Sequence, residues 1–114
     1  MKLQIEGQAL RLRLSEAELD TVLALGQLEN RIACPNGHVA TRQLALIDGA
    51  GEPSLRGDLM ALHIDLPRAA FADFAAERPR RDGFGFSGAG LEVSVEVDVR
   101  DSRRHQVGSR SGAS

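Results

Sequence analysis

The stretch Leu10-Arg11-Leu12-Arg13-Leu14-Ser15-Glu16-Ala17-Glu18 changes its hydrophobic period midway, and that change decides the fold class. Leu10, Leu12 and Leu14 alternate with two arginines, which is the period of a strand with one buried and one wet face. Ser15 and Glu18 then form the spacing of a capping box. The serine hydroxyl accepts from the Glu18 N–H, and the glutamate reaches back to the Ser15 N–H. Leu19, Val22 and Leu23 follow at helical spacing, and Gly26 stands where a glycine closes a helix. A strand therefore runs directly into a helix. Upstream, Leu3 and Ile5 alternate with Lys2, Gln4 and Glu6, and Gly7-Gln8 makes a tight turn, so an N-terminal hairpin is expected.

Downstream, 28–34 and 39–47 read as strands around Pro35-Asn36-Gly37, a three-residue hairpin loop with glycine in the left-handed position. Residues 48–57 read as a loop because of their glycine and proline content. Met60, Leu62, Ile64 and Leu66 alternate as a further strand. Pro67 suits the first position of a second helix, whose apolar stripe is Ala70, Phe71, Phe74 and Ala75. Pro79 ends that helix, with Arg78, Arg80 and Arg81 near its C-terminus. A short glycine-flanked strand follows, then the cleanest alternation in the chain, Leu91 to Val99. The segments 10–26 and 62–79 share the strand-into-helix plan, either as a faint internal duplication or by chance. The expectation is an α+β domain over 1–101, a mostly antiparallel sheet of about six or seven strands with two helices on one face. Residues 102–114 lack periodicity and read as a flexible tail.

A length of 114 residues gives one domain, too short for a Rossmann enzyme, a kinase or a TIM barrel. No apolar run is long enough for a membrane helix, and the start turns polar too early for a signal peptide. The single Cys34 excludes an internal disulfide framework and fits a reducing cytoplasm. The net charge of −2 supplies no global field for nucleic acid or anionic lipid. All the basic residues but Lys2 are arginine, a bias that genomic base composition explains more simply than phosphate recognition. The only aromatics are four phenylalanines, most of them wanted by the core.

Several motifs invite chemistry. Gly83-Phe84-Gly85-Phe86-Ser87-Gly88 matches G-x-G-x-x-G, but it precedes a strand where a dinucleotide site needs a helix. The same stretch resembles an RNA-recognition octapeptide, with Asp82 at the basic position and no aromatic partner on the N-terminal strand. Cys34 and His38 flank the hairpin loop as cross-strand neighbours and are candidate metal ligands, although zinc needs three or four. A half-buried cysteine and a surface histidine are the commoner reading. His63 and Asp65 share a strand face like an acid–base pair, a pattern found far more often as ordinary wet-face polarity. Arg11, Arg13, Arg78, Arg80 and Arg81 are the candidate binding residues for an anionic ligand. No nucleophile elbow, zincin motif or Walker loop occurs.

Met1-Lys2-Leu3 with Ile5 and Gly7, then Leu10-Arg11-Leu12-Arg13-Leu14-Ser15 with Glu18, resembles the opening of a family of small bacterial proteins of unknown function. Members of that family begin M-K-[IL]-x-I-x-G and continue [IL]-R-[LF]-R-L-[ST]-x-x-E. The resemblance extends in pieces to Asn36-Gly37 before a strand carrying Leu44 and Leu46, to Gly85-Phe86-Ser87-Gly88 (G-I-S-G in members) and to Val95-Glu96-Val97-Asp98 (V-E-K-D). It ends at Asp101-Ser102, where relatives carry a cysteine and a Pro-rich acidic tail. It implies a compact bacterial domain in the cytoplasm and no particular catalysis. The expected function is thus a non-enzymatic interaction or accessory protein without a cofactor. Its partner would be protein, self or other, rather than nucleic acid or membrane, and a homodimer is compatible. The alternative is a small-ligand or nucleic-acid binder using the surface arginines.

Overall fold

The computed structural model describes residues 1–49, 51–77, 83–88 and 90–98. The chain forms β1 (Lys2–Glu6), β2 (Ala9–Leu14), α1 (Glu16–Leu25), β3 (Gln27–Ala33), β4 (Val39–Ile47), β5 (Ser54–Asp58), β6 (Ala61–Pro67), α2 (Arg68–Ala76), β7 (Phe84–Gly88) and β8 (Leu91–Val97). The fold is α+β, but the expected single antiparallel sheet is corrected to two mixed four-stranded sheets. The first has the order β1-β2-β8-β7 and the second β3-β4-β6-β5. In each, two antiparallel hairpins join through a parallel central pair, β2 with β8 and β4 with β6. Alternation along a strand reports only that one face is buried. A second sheet buries that face as well as a helix does.

The two halves of the chain repeat one plan: hairpin, helix, hairpin. Leu10, Leu12, Leu14, Leu19 and Val22 stand in the first half where Leu62, Ile64, Leu66, Phe71 and Phe74 stand in the second, at one constant spacing. All ten are buried. Exchanging β1–β4 with β5–β8 converts one sheet order into the other, so the topology has an approximate two-fold symmetry. Each helix carries the chain across: α1 from the first sheet to the second, α2 back again. The strand that the sequence does not announce is β5, whose first four residues fall at the end of the expected loop 48–57. Leu55 is its one apolar side chain, and Gly57 breaks its pattern.

The core lies between the sheets and under the helices. Leu10, Leu12 and Leu14 face Val93, Val95 and Val97 along the first parallel pair, and Leu44 and Leu46 face Ile64 and Leu66 along the second. Phe71 stacks on Phe74 at 5.6 Å between ring centroids, and both meet Phe84 of β7 edge-on at 5.8 and 5.9 Å. No polar or charged residue is buried among the described residues.

The ends of α1 follow the sequence. Ser15 Oγ accepts from the Glu18 N–H at 3.1 Å, Glu18 Oε1 accepts from the Ser15 N–H at 3.0 Å, and Gly26 closes the helix at φ +80°. Pro67 precedes α2 as its cap instead of opening it, and its last ladder position is opposite Ile47. The helix-ending role of Pro79, the boundary at 101 and the tail 102–114 lie outside the described residues.

The Met1 ammonium ties the sheets together at one edge. It donates to Glu18 Oε2 and, at 2.9 Å, to Asn30 Oδ1 on β3. Burial pushes the Glu18 carboxyl up, but the ammonium and the Ser15 N–H and hydroxyl outweigh it, leaving the value below the ordinary 4.5. This stabilisation is present above pH 4.5 and is lost as the pH falls through the lowered value. Glu18→Gln should therefore flatten the acid limb of a stability-against-pH curve measured by urea melts.

Val95 is fully buried at the centre of β8. Val95→Asp puts a carboxylate there without a partner, costing several of the ~5–15 kcal/mol typical of a whole domain. The variant should lose its cooperative thermal transition.

Candidate functional site

The wet face of the first sheet carries two of the candidate arginines. Parallel pairing sets Arg11 beside Ser94 and Arg13 beside Glu96. Glu96 lies between the guanidinium groups: Arg11 Nε donates to Oε2 at 3.1 Å, and Arg13 Nε stands 3.5 Å from Oε1 without hydrogen-bond alignment. Ser94 Oγ adds a contact to Oε2 at 3.4 Å, and Ser87 Oγ donates to Glu92 at 2.8 Å. β7 brings only Gly85 and Ser87 to this face, so a shallow depression opens beside β8. Its charged lining is Glu6, Arg11, Glu92 and Glu96. Three carboxylates against one guanidinium make it the wrong sign for phosphate. Arg78, Arg80 and Arg81 lie outside the described residues.

The hairpin loop places Cys34 and His38 opposite each other as expected, with the Cys34 N–H donating to the His38 carbonyl at 2.8 Å. Gly37 takes φ +88°, and Asn36 Oδ1 accepts from the His38 N–H at 3.0 Å. The side chains turn elsewhere. Cys34 Sγ lies 3.8 Å from the Ile32 carbonyl, and His38 Nδ1 lies 3.5 Å from Asn36 Nδ2. Among the described residues no three His, Cys, Asp or Glu side chains gather in a way that could hold a metal ion.

His63 and Asp65 share the outer face of β6 but do not pair. Asp65 accepts from Arg56 Nε at 2.7 Å and from Ser54 Oγ at 3.3 Å, and the bond from Arg56 raises that guanidinium's pKa further. His63 Nδ1 is shielded and meets no protein partner. The G-x-G-x-x-G stretch forms β7 and turns into β8, with no helix after it to face a pyrophosphate. Phe84 turns inward onto Phe71 and Phe74, and Phe86 packs against the core, so neither offers a base an exposed ring.

A different surface emerges at the hairpin end of the second sheet. Ile32 pairs with Ala40, and the Thr41 N–H donates to the Met60 carbonyl at 2.8 Å, aligning Ile32, Ala40 and Met60 as one row. The row continues the core-facing side one step beyond buried Leu62, so its side chains meet solvent. Ile32 is 44% exposed, Met60 41%, and Val39 and Leu59 beside them 53% and 61%. Alternation alone assigns such residues to a core, and only their exposure in the structure separates them from it. The same corner carries β3, an edge strand of seven residues, whereas the edges β1, β5 and β7 have five each. Long open edges with apolar flanks are surfaces for another chain.

No protein-family model, curated protein or solved structure matches the chain. No helix among the described residues is long and apolar enough to cross a membrane.

Because Glu96 is shared by two arginines and only 14% exposed, Glu96→Arg leaves three guanidiniums together. It should lower the melting temperature by several degrees, about 1 kcal/mol, and Arg13→Glu in the same chain should recover most of that. Thermal melts of the single and double variants decide it.

Proposed function

We propose that this protein is a non-enzymatic interaction module that binds a polypeptide partner by strand addition at β3, acting in a reducing compartment such as the cytoplasm. The observation that carries the reading is the open seven-residue edge beside exposed Ile32, Val39, Leu59 and Met60. Main-chain amides of an edge supply affinity, and flanking side chains supply selectivity. The competing reading, anion binding through Arg11 and Arg13, is disfavoured because Glu96 already engages both. The resemblance to the small bacterial family fits an accessory protein and brings no catalytic residue with it.

Residues along β3 alternate between amides bonded to β4 and amides aimed outward. Cys34 bonds to His38, and Gly26 accepts from Leu46, so even-numbered residues face β4 and Glu29 and Arg31 aim their N–H groups at the open side. Arg31→Pro therefore removes an outward donor while sparing the ladder to β4, and Arg31→Ala controls for the lost charge. Full-length protein immobilised as bait should retain a partner from an extract of its own cells. The Pro variant should lose it and the Ala variant keep most of it, both with unchanged circular dichroism. Equal retention by the Pro variant overturns the reading.

A further inference from the structure

From the charges along β3, we infer that the chain which adds to this edge is a second copy of the same protein, paired antiparallel about a two-fold axis at Asn30. The inference rests on the strand-addition reading and names its occupant.

The strand reads Gln27-Leu28-Glu29-Asn30-Arg31-Ile32-Ala33, with opposite charges placed symmetrically about its centre. Glu29 and Arg31 lie on the outer face and form an ion pair with each other, Arg31 Nε to Glu29 Oε1 at 3.0 Å. An antiparallel copy centred on Asn30 sets Glu29 opposite Arg31 of the second chain, and Arg31 opposite its Glu29. Opposite charges directly across a ladder are favourable, and like charges are unfavourable. This register also satisfies the backbone. The facing residues are both odd-numbered, the ones whose amides point away from β4, so they can exchange N–H···O=C bonds in both directions. The Glu29 carbonyl already accepts from Asn30 Nδ2 at 3.1 Å and keeps a second lone pair for the partner.

Other registers fail. Sliding the copy by one residue puts outward amides against inward ones. Sliding it to the next allowed positions sets Glu29 against Glu29 or Arg31 against Arg31. In the surviving register Leu28 of the copy stands across from Ile32 and covers part of its exposed side chain. A two-fold contact of this kind is self-complementary and closes at two chains. It joins two four-stranded sheets into one of eight strands, β5-β6-β4-β3 continued by the same strands in reverse.

Sedimentation equilibrium of the full-length protein, loaded at concentrations up to about 1 mM, tests the inference. The expected result is a reversible monomer–dimer equilibrium. Glu29→Arg and Arg31→Glu should each weaken the dimer by roughly tenfold or more, because two favourable pairs become two like-charge pairs. The double variant carrying both reversals should restore it, since the exchanged charges at positions 29 and 31 again meet their opposites in this register alone. Both positions are exposed, and unchanged thermal melts will show that each variant is folded. A protein that stays monomeric throughout overturns the inference, as does a dimer indifferent to the charge reversals or left weak by the double swap. If a monomeric protein still captures a different chain that Arg31→Pro releases, strand addition stands and self-pairing falls. If it captures nothing, both fall.

Discussion

The two parallel ladders, β2 beside β8 and β4 beside β6, are the constraint on which the rest of the structure depends. Each joins a strand of the first half to a strand of the second, so neither half owns a complete sheet. Leu12 is buried against Val95, and Leu44 against Ile64. Removing either half would strip one central strand from both sheets at once. Long-range pairings of this kind cost loop closure before they return any burial energy. The helices come at the crossovers in the chain: each follows a strand of one sheet and precedes a strand of the other.

Electrostatics then trims what packing has built. Just ahead of β1, the Met1 ammonium meets Glu18 and Asn30, joining the chain's start, the first turn of α1 and the second sheet. Glu18 is shared between this contact and the capping box, so helix start and sheet seam depend on one carboxylate. The opposite seam is apolar where Gly88 of β7 lies against Leu55 of β5, and an added Cβ there would stand 3.4 Å from the leucine Cβ. The symmetry of the chain trace is not matched by symmetry of chemistry: Ser15 caps α1 with its hydroxyl, whereas Pro67 before α2 makes no side-chain cap.

Local features of the sequence are legible because their causes are local. The capping box, the Gly26 closure, the loop at 35–37 and the strands around Leu12, Ile64 and Val95 all follow from neighbouring residues. The residues from Leu3 through Glu18 build the first hairpin, its buried row and the helix cap. The existence of a second sheet is not legible, because a leucine row is equally satisfied by a helix or by another sheet. β5 escapes because a strand with one apolar residue and a glycine looks like a loop until a partner supplies its ladder. The site suffers from the same ambiguity. Ile32 and Met60 occupy core-facing positions, yet 44% and 41% of their surface is exposed, which alternation does not distinguish from burial.

Dividing each sheet between the two halves has a consequence for the chain as it leaves the ribosome. The β1–β2 ladder draws on residues 2–14 alone, yet Leu10, Leu12 and Leu14 gain their valine neighbours only when β8 emerges. At about 5–20 residues per second, synthesis of the intervening chain takes several seconds. Throughout that interval the leucine row of β2 lacks the valines that cover its ladder. The outward charges on Arg11 and Arg13 then keep soluble a segment that will later need them only to hold Glu96.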